Sequence, residues 1–374
     1  MKTLRYIFMI FLAILSSCSR FEHMKSVHVI LQDPEIRQRY GGEMGALADE
    51  LKSAGVTHVI VPILKDGTAY YPSDILPQRW DYGTDLLAFR HSLRKRKIKF
   101  VAKIDIFKDE YTYCSQPQKR AVDELSSTKQ SEELAGICPS DKQYQNYKLD
   151  IIHEVMLIFQ ADGIYLDHAS FPIEKNDINS NMQLEHLRQF CFCPNCINTF
   201  AQHAQIELPQ NLSAYELNAW ILEDHTQAWV SWKTSLLTVF MENAHKIIKN
   251  IDPETQIMLN ILPWKNGEFN HAWQDLAGQD IKTLASFTDY FILTVSDQIP
   301  VMRYDEIRLS IEKEIENNSR VIPTIQLPLN SNKNNEENFK ESLRYFKDKL
   351  IVSDWSYMLK NRRFLNTFIS EHNL

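Results

Sequence analysis

Short apolar, β-rich runs recur along this chain and set its architecture. The first four read SVHVIL at 26–31, THVIVPI at 57–63, KFVAKIDIF at 99–107 and DGIYLD at 162–167. Four more follow: QIMLNIL at 256–262, DYFILTV at 289–295, RVIPTIQ at 320–326 and KLIVSDW at 349–355. Most are unbroken apolar stretches, as parallel strands covered on both faces require. Between them the spacing becomes helical. In 43–55, Met44, Leu47 and Leu51 share one face and Gly55 closes the end. The segments 148–159 and 229–251 are the other strong helices. Eight strands alternating with helices predict a single-domain (β/α)8 TIM barrel. An open doubly wound sheet fits less well, because no glycine-rich phosphate loop follows the first run. Long insertions follow the third and fourth strands, and in a barrel they lie on the carboxyl-end face, where sites form.

The N-terminus follows a different rule. Lys2 and Arg5 precede an apolar run over 6–15 and then small residues, the plan of a secretory signal too short to span a membrane as a mature helix. LSSC at 15–18 resembles the bacterial lipobox. That likeness implies removal of residues 1–17, lipidation of Cys18, a tether over 18–25 and a barrel over 26–374. The expected location is the bacterial cell envelope, anchored to a membrane through the acyl chains. A net charge of −7 with no extended basic run argues against a nucleic-acid partner, and LRKRK at 93–97 reads as the solvated end of a helix.

In a barrel, polar residues at the carboxyl ends of strands converge on one mouth. Asp33, Asp105, Asp167, His168, Asn260, Trp264, Asp297, Gln326, Asp354 and Trp355 fall at or just after such ends. Carboxylates, amides and tryptophans together suit carbohydrate, whose rings stack on aromatic faces and whose hydroxyls need many partners. Glycoside hydrolysis calls for two carboxyl groups. Asp167 is the expected nucleophile or general acid/base and Asp297 its expected partner across the mouth. Asp33, Asp105, His168, Asn260, Trp264, Gln326, Asp354 and Trp355 are the expected substrate contacts. The two tryptophans suit the core equally well. No serine nucleophile elbow, zinc-protease helix or dinucleotide fingerprint is present.

Two stretches resemble bacterial glycoside-hydrolase-like (β/α)8 proteins: ICPSDKQYQNYKLDIIHEVMLIFQADGIYLDHASFP at 137–172 and the segment 71–107. The likeness covers roughly 26–300. It implies an O-glycosyl hydrolase acting on a poly- or oligosaccharide outside the cytoplasm. The chain departs from those proteins at the sixth strand, where LTVSDQ replaces a tyrosine-containing run, and it lacks the Asn-Glu pair of the large retaining clan. The departures keep two other readings open. One is a catalytically inactive carbohydrate-binding or envelope-assembly lipoprotein; the other is a metal enzyme of the polysaccharide-deacetylase kind.

CFCPNC at 191–196 places three cysteines in six residues of a chain with only six. A disulfide cluster, a redox pair, metal ligation and buried thiols all remain open on spacing alone. The arrangement resembles the zinc-containing β-galactosidases of glycoside hydrolase family 42, in which one cysteine of a Cys-Pro loop precedes the fourth strand and Cys-x-Cys-x-x-Cys follows it. The resemblance implies structural zinc on Cys138, Cys191, Cys193 and Cys196, with Cys114 as the other candidate for the fourth ligand.

Overall fold

Side chains of a strand alternate between its two faces, so a closed barrel must sort each run into an inward and an outward set. The computed structural model describes residues 23–65, 67–78, 80–130, 134–173, 188–265, 271–295, 301–316, 320–327 and 333–371. Its strands are β1 (Met24–His28), β2 (His58–Pro62), β3 (Lys99–Asp105) and β4 (Gly163–Asp167). The remaining four are β5 (Gln256–Ile261), β6 (Tyr290–Val295), β7 (Val321–Gln326) and β8 (Lys349–Ser353). All pair in parallel in chain order and β8 returns to β1, closing an eight-stranded barrel. The expected (β/α)8 fold is the observed one.

One residue from each strand fills the interior: Met24, Ile60, Val101, Tyr165, Met258, Ile292, Ile322 and Ile351. The outward set, including Val27, Val59, Phe100, Ile164 and Leu259, packs under the helices in the larger core. Two or four positions beyond the apolar layer, the same parity brings Ser26 and His28, Lys103 and Asp105, Asp167 and Asn260 to the inner side. The barrel therefore has an apolar floor and a polar upper layer. Gly163 opens β4 where a Cβ would stand 3.3 Å from the Gln256 carbonyl oxygen and from Val101, so the close approach there favours glycine.

The first strand starts at Met24, within the stretch 18–25 expected to be a tether. The apolar pattern hides this because Lys25 is buried. Its Nζ donates to the carbonyls of Ala54 (3.0 Å) and Phe368 (2.9 Å). Cys18 lies outside the described residues. No helix among the described residues is long and apolar enough to cross a membrane.

Around the barrel run α1 (Met44–Ser53), α2 (Trp80–Lys95), α3 (Lys142–Phe159), α4 (Pro194–Ala204), α5 (Ala214–Asp224) and α6 (Thr226–Ile251) among others. The basic run does end α2, with Arg94 and Lys95 in its last turn. The two long insertions lie after β3 and β4 and are stitched to each other. Phe192 N–H donates to Val122 O (2.8 Å) and Glu124 N–H to Gln189 O (3.1 Å). Asn218 of α5 donates to Glu124 O at 3.0 Å.

A buried ion pair pins the first insertion to α3. Lys148 Nζ lies 3.1 Å from Asp109 Oδ2, with side chains only 2% and 5% exposed. Asp109 also accepts from Thr112 N–H (2.9 Å) and Tyr144 Oη–H (3.1 Å). Burial acts to raise the Asp109 pKa, but the Lys148 charge and these donors outweigh it and hold it below the usual range. Asp109→Ala leaves a buried ammonium unpaired and is expected to cost about 3–5 kcal/mol in denaturant unfolding. Because the folded pKa is depressed, the pair stabilises above the ordinary carboxylate range and its contribution is lost as pH falls below it. The variant's stability should accordingly fall less steeply in acid.

Candidate functional site

Asp105 and Asp167 are register partners at the ends of β3 and β4, so parity and pairing place their carboxylates side by side over the barrel mouth. The pairing continues past the strands, with Ile106 N–H on Asp167 O (2.9 Å) and Phe107 N–H on His168 O (3.1 Å). His168 then turns sharply, with a φ of 51° in the left-handed region that a β-substituted residue seldom enters. Strain of this kind concentrates at functional sites. The turn brings His168 Nδ1 within 2.8 Å of Asp105 Oδ1 and 3.5 Å of Asp167 Oδ1.

Asp167 is gripped from three further directions. Lys103 Nζ lies 2.6 Å from Oδ2, and Oδ1 accepts from Asn260 Nδ2 (2.5 Å) and from His168 N–H (2.9 Å). Burial would raise its pKa, but the nearby His168 and Lys103 charges and the bonds from Lys103 and Asn260 hold it well below the usual carboxylate range. Asp105 is lowered too: burial opposes, while the His168 hydrogen bond and the Lys103 charge prevail. Lys103 is itself held up, its burial outweighed by the charges of Asp167 and Asp105. His28, on β1, meets Tyr165 edge-on at 6.2 Å; burial and the Lys103 charge draw its pKa down to about 3, so its ring is neutral.

Exposure divides these groups. The Asp167 side chain is 6% exposed, whereas Asp105 and His168 are 41% and 31% exposed. The mouth therefore presents Asp105 and His168 to solvent, with Asp167 fixed as a negative charge behind them.

The other expected site residues fall elsewhere or play local roles. Asp33 caps the helix Pro34–Tyr40, accepting from Glu35 N–H at 2.8 Å, and lies 3.7 Å from Lys360. Asp354 caps the helix Trp355–Lys360, accepting from Tyr357 N–H at 2.7 Å. Gln326 ends β7 and is exposed. Trp264 and Trp355 correct the sugar-platform expectation. They are 3% and 0% exposed, members of the core with no face left for a ring. Asp297 lies outside the described residues. Lys103 and His28 were missed by the sequence reading; the alternation of Val101, Lys103 and Asp105 along β3 was the available signal.

The cysteines form a second cluster. The Sγ atoms of Cys138, Cys191, Cys193 and Cys196 lie within 4.8 Å of one another, and Cys138 is 3.4 Å from both Cys193 and Cys196. No disulfide joins the described cysteines, and Cys114 is apart and exposed. A tetrahedral ion with metal–sulfur bonds of about 2.3 Å needs sulfur–sulfur edges of about 3.8 Å, close to this spacing. Donors already face the sulfurs: Val122 N–H on Cys191, Cys196 N–H on Cys193 and the Ser140 hydroxyl 3.0 Å from Cys196. Cys193 is the N-cap of α4 with Pro194 at its first position, so the CPNC turn is a helix start. The donor set and spacing fit a metal ion.

The architecture has counterparts among solved structures. The glycoside hydrolase domain of PgaB (BpsB) from Bordetella bronchiseptica is similar at a TM-score of 0.66 and 14% identity, over 94% of this chain and 99% of that one. The catalytic domain of a β-amylase from Paenibacillus polymyxa reaches a TM-score of 0.58 at 13% identity, with the same coverages. A GH42 β-galactosidase from G. stearothermophilus reaches 0.60 at 11% identity, over 91% of this chain and 52% of that one. No protein-family model and no curated protein sequence matches the chain. At these identities the likeness shows the fold alone, a (β/α)8 barrel.

Removing the cation behind Asp167 tests the electrostatics. In Lys103→Met, the Asp167 carboxyl pKa should rise towards the usual carboxylate range, since burial then acts against a weaker opposing charge. Carboxyl-carbon NMR titration reads this directly, and an unmoved titration would refute the assignment.

Proposed function

We propose that the protein is a glycoside hydrolase acting on a poly- or oligosaccharide at the carboxyl-end mouth of its barrel. The observation that carries the reading is Asp167, held ionised by Lys103 beside the open Asp105–His168 pair. An oxocarbenium-like transition state gathers positive charge at the anomeric carbon, and preorganised anions there lower its energy. Asp167 supplies fixed negative charge and cannot serve as the resting proton donor. His168, bonded to Asp105, is placed to protonate the departing glycosidic oxygen. Asp105, 2.8 Å from Nδ1, is placed to orient the His168 ring; it stands on the same side of the scissile bond as the acid, so attack on the anomeric carbon comes from the opposite face of the sugar.

The glycosidase-like barrels that cover nearly all of this chain support the same substrate class. The catalytically inactive, carbohydrate-binding reading keeps one specific observation in its favour: Asp105 and Asp167 are both held below the usual range, so neither is a protonated acid at rest. The deacetylase-like metal reading is disfavoured by Lys103. Asp105, Asp167 and His168 bring their ligand atoms within 4.8 Å of one another, but the Lys103 ammonium 2.6 Å from Asp167 Oδ2 repels a second cation there.

The cysteine cluster reads as a structural zinc site of Cys138, Cys191, Cys193 and Cys196. Four thiolates complete a tetrahedron and leave no position open to water, so the ion would hold the two insertions together and take no part in the reaction. LSSC at 15–18 supports a lipid anchor on Cys18 and residence at the cell envelope.

Assayed on a panel of polysaccharides and aryl glycosides, the wild-type protein should release reducing ends or aglycone. Asp167→Asn should lose about 100-fold or more of that rate, the scale of one preorganised electrostatic group. A wild-type protein that binds a saccharide and cleaves none would favour the binding reading. The anchor has its own test, because Cys18→Ala in the full-length protein should move it from the membrane fraction to the soluble fraction. Unchanged membrane partition would count against lipidation.

A further inference from the structure

We propose that the cavity bounded by the first turn of α3, α4 and α6 is the port through which the cysteine site takes up and releases its cation. The proposal rests on the zinc reading above. The four thiols are unequally enclosed. Cys191 and Cys196 have no exposed surface, whereas Cys138 and Cys193 line a cavity of about 500 Å³. Away from the cavity the chain is tightly packed. Phe192 stacks on Trp229 at 4.8 Å, and Phe200 meets the same ring edge-on at 4.9 Å. Lys233, fully buried on α6, donates to the carbonyls of Asp275 (2.7 Å) and Leu276 (2.9 Å).

The open side is polar. Asn195 Nδ2 donates to Ser140 Oγ at 2.7 Å, which leaves the Ser140 hydroxyl proton to point at sulfur. That oxygen is 3.0 Å from Cys196 Sγ and 3.3 Å from Cys138 Sγ, within hydrogen-bond reach of both. Both residues line the same cavity. Cys138, beside Ser140, and Cys193, beside Cys196 N–H, would each keep the electron pair and a hydrogen-bond partner on leaving a bound cation, so that an incoming ligand could replace either of them. The only bonds exchanged are those between metal and ligand. Cys138 and Cys193 are the ligands able to yield in this way, because the other two have no free space beside them.

The test uses the full-length protein, purified under reducing conditions and assayed first for bound zinc. Metal transfer to free pyridylazoresorcinol is then timed against transfer to a chelator coupled to high-molecular-weight dextran, which is too large to enter. The free chelator should be faster by about tenfold or more, equivalent to about 1.4 kcal/mol on the barrier. Ser235→Trp, which adds an indole to the α6 wall of the cavity, should slow the free chelator by a similar factor with equilibrium affinity unchanged. If that variant does not fold, the comparison of chelator sizes on the wild type decides alone. Equal rates for both chelators would overturn the port and place release on another route. A protein that carries and binds no zinc would overturn the zinc reading itself, and the port with it.

Discussion

A closed barrel of eight parallel strands leaves its inward side chains a single outlet, and that constraint organises everything else in this molecule. The floor is sealed by one apolar residue per strand, from Met24 to Ile351. A charged side chain on an inward position above it is costly to bury unpaired. Lys103, Asp105, Asp167 and Asn260 meet the requirement by bonding to one another directly or through His168. The charged members of the polar layer are thus concentrated on one arc, at the ends of β3 and β4.

Within that arc the Lys103–Asp167 pair sets the electrostatics. Burying two charges is expensive, and a pair of this kind is weak evidence for stability on its own. Its effect is chemical: it keeps one carboxylate ionised where water is scarce, while Asp105 and His168 stay more open to solvent. His28 stays neutral beside them because it is buried and Lys103 repels a second positive charge. The left-handed turn at His168 is the backbone's share of the same arrangement, aiming the ring back across β3.

The insertions after β3 and β4 depend on a separate set of contacts. Backbone bonds between 122–124 and 189–192 lay one insertion along the other, and the buried Asp109–Lys148 pair ties the first of them to α3. These contacts bring Cys138 to the start of α4, where Cys193 caps the helix. The N-terminal ends of α3 and α4 then both approach the sulfurs, and helix N-termini favour thiolate over thiol. Burial acts the other way, pushing the Cys191 and Cys196 thiols up and drawing Lys233 down to about 7, so the backbone amides and the Ser140 hydroxyl do not by themselves complete the site.

Much of this was legible in the chain. The eight runs were found within a few residues of their observed ends, because unbroken apolar stretches flanked by helical spacing admit few other folds. The cysteine set was legible through its spacing and its likeness to a known cluster. Trp264 and Trp355 were not, because a tryptophan at a strand end has the same sequence whether its face meets sugar or core, and only packing decides. Lys25 disguised the first strand, since its burial depends on carbonyls from α1 and the last helix, residues far away in sequence. Asp33 and Asp354 resembled mouth residues but cap helices, a choice made by local backbone geometry. The sequence by itself determined the alternation of strand and helix, the inward parity of each run and the thiols available for a metal. Only the tertiary structure decided which inward charges meet, because ionisation depends on burial and on partners that come from different strands.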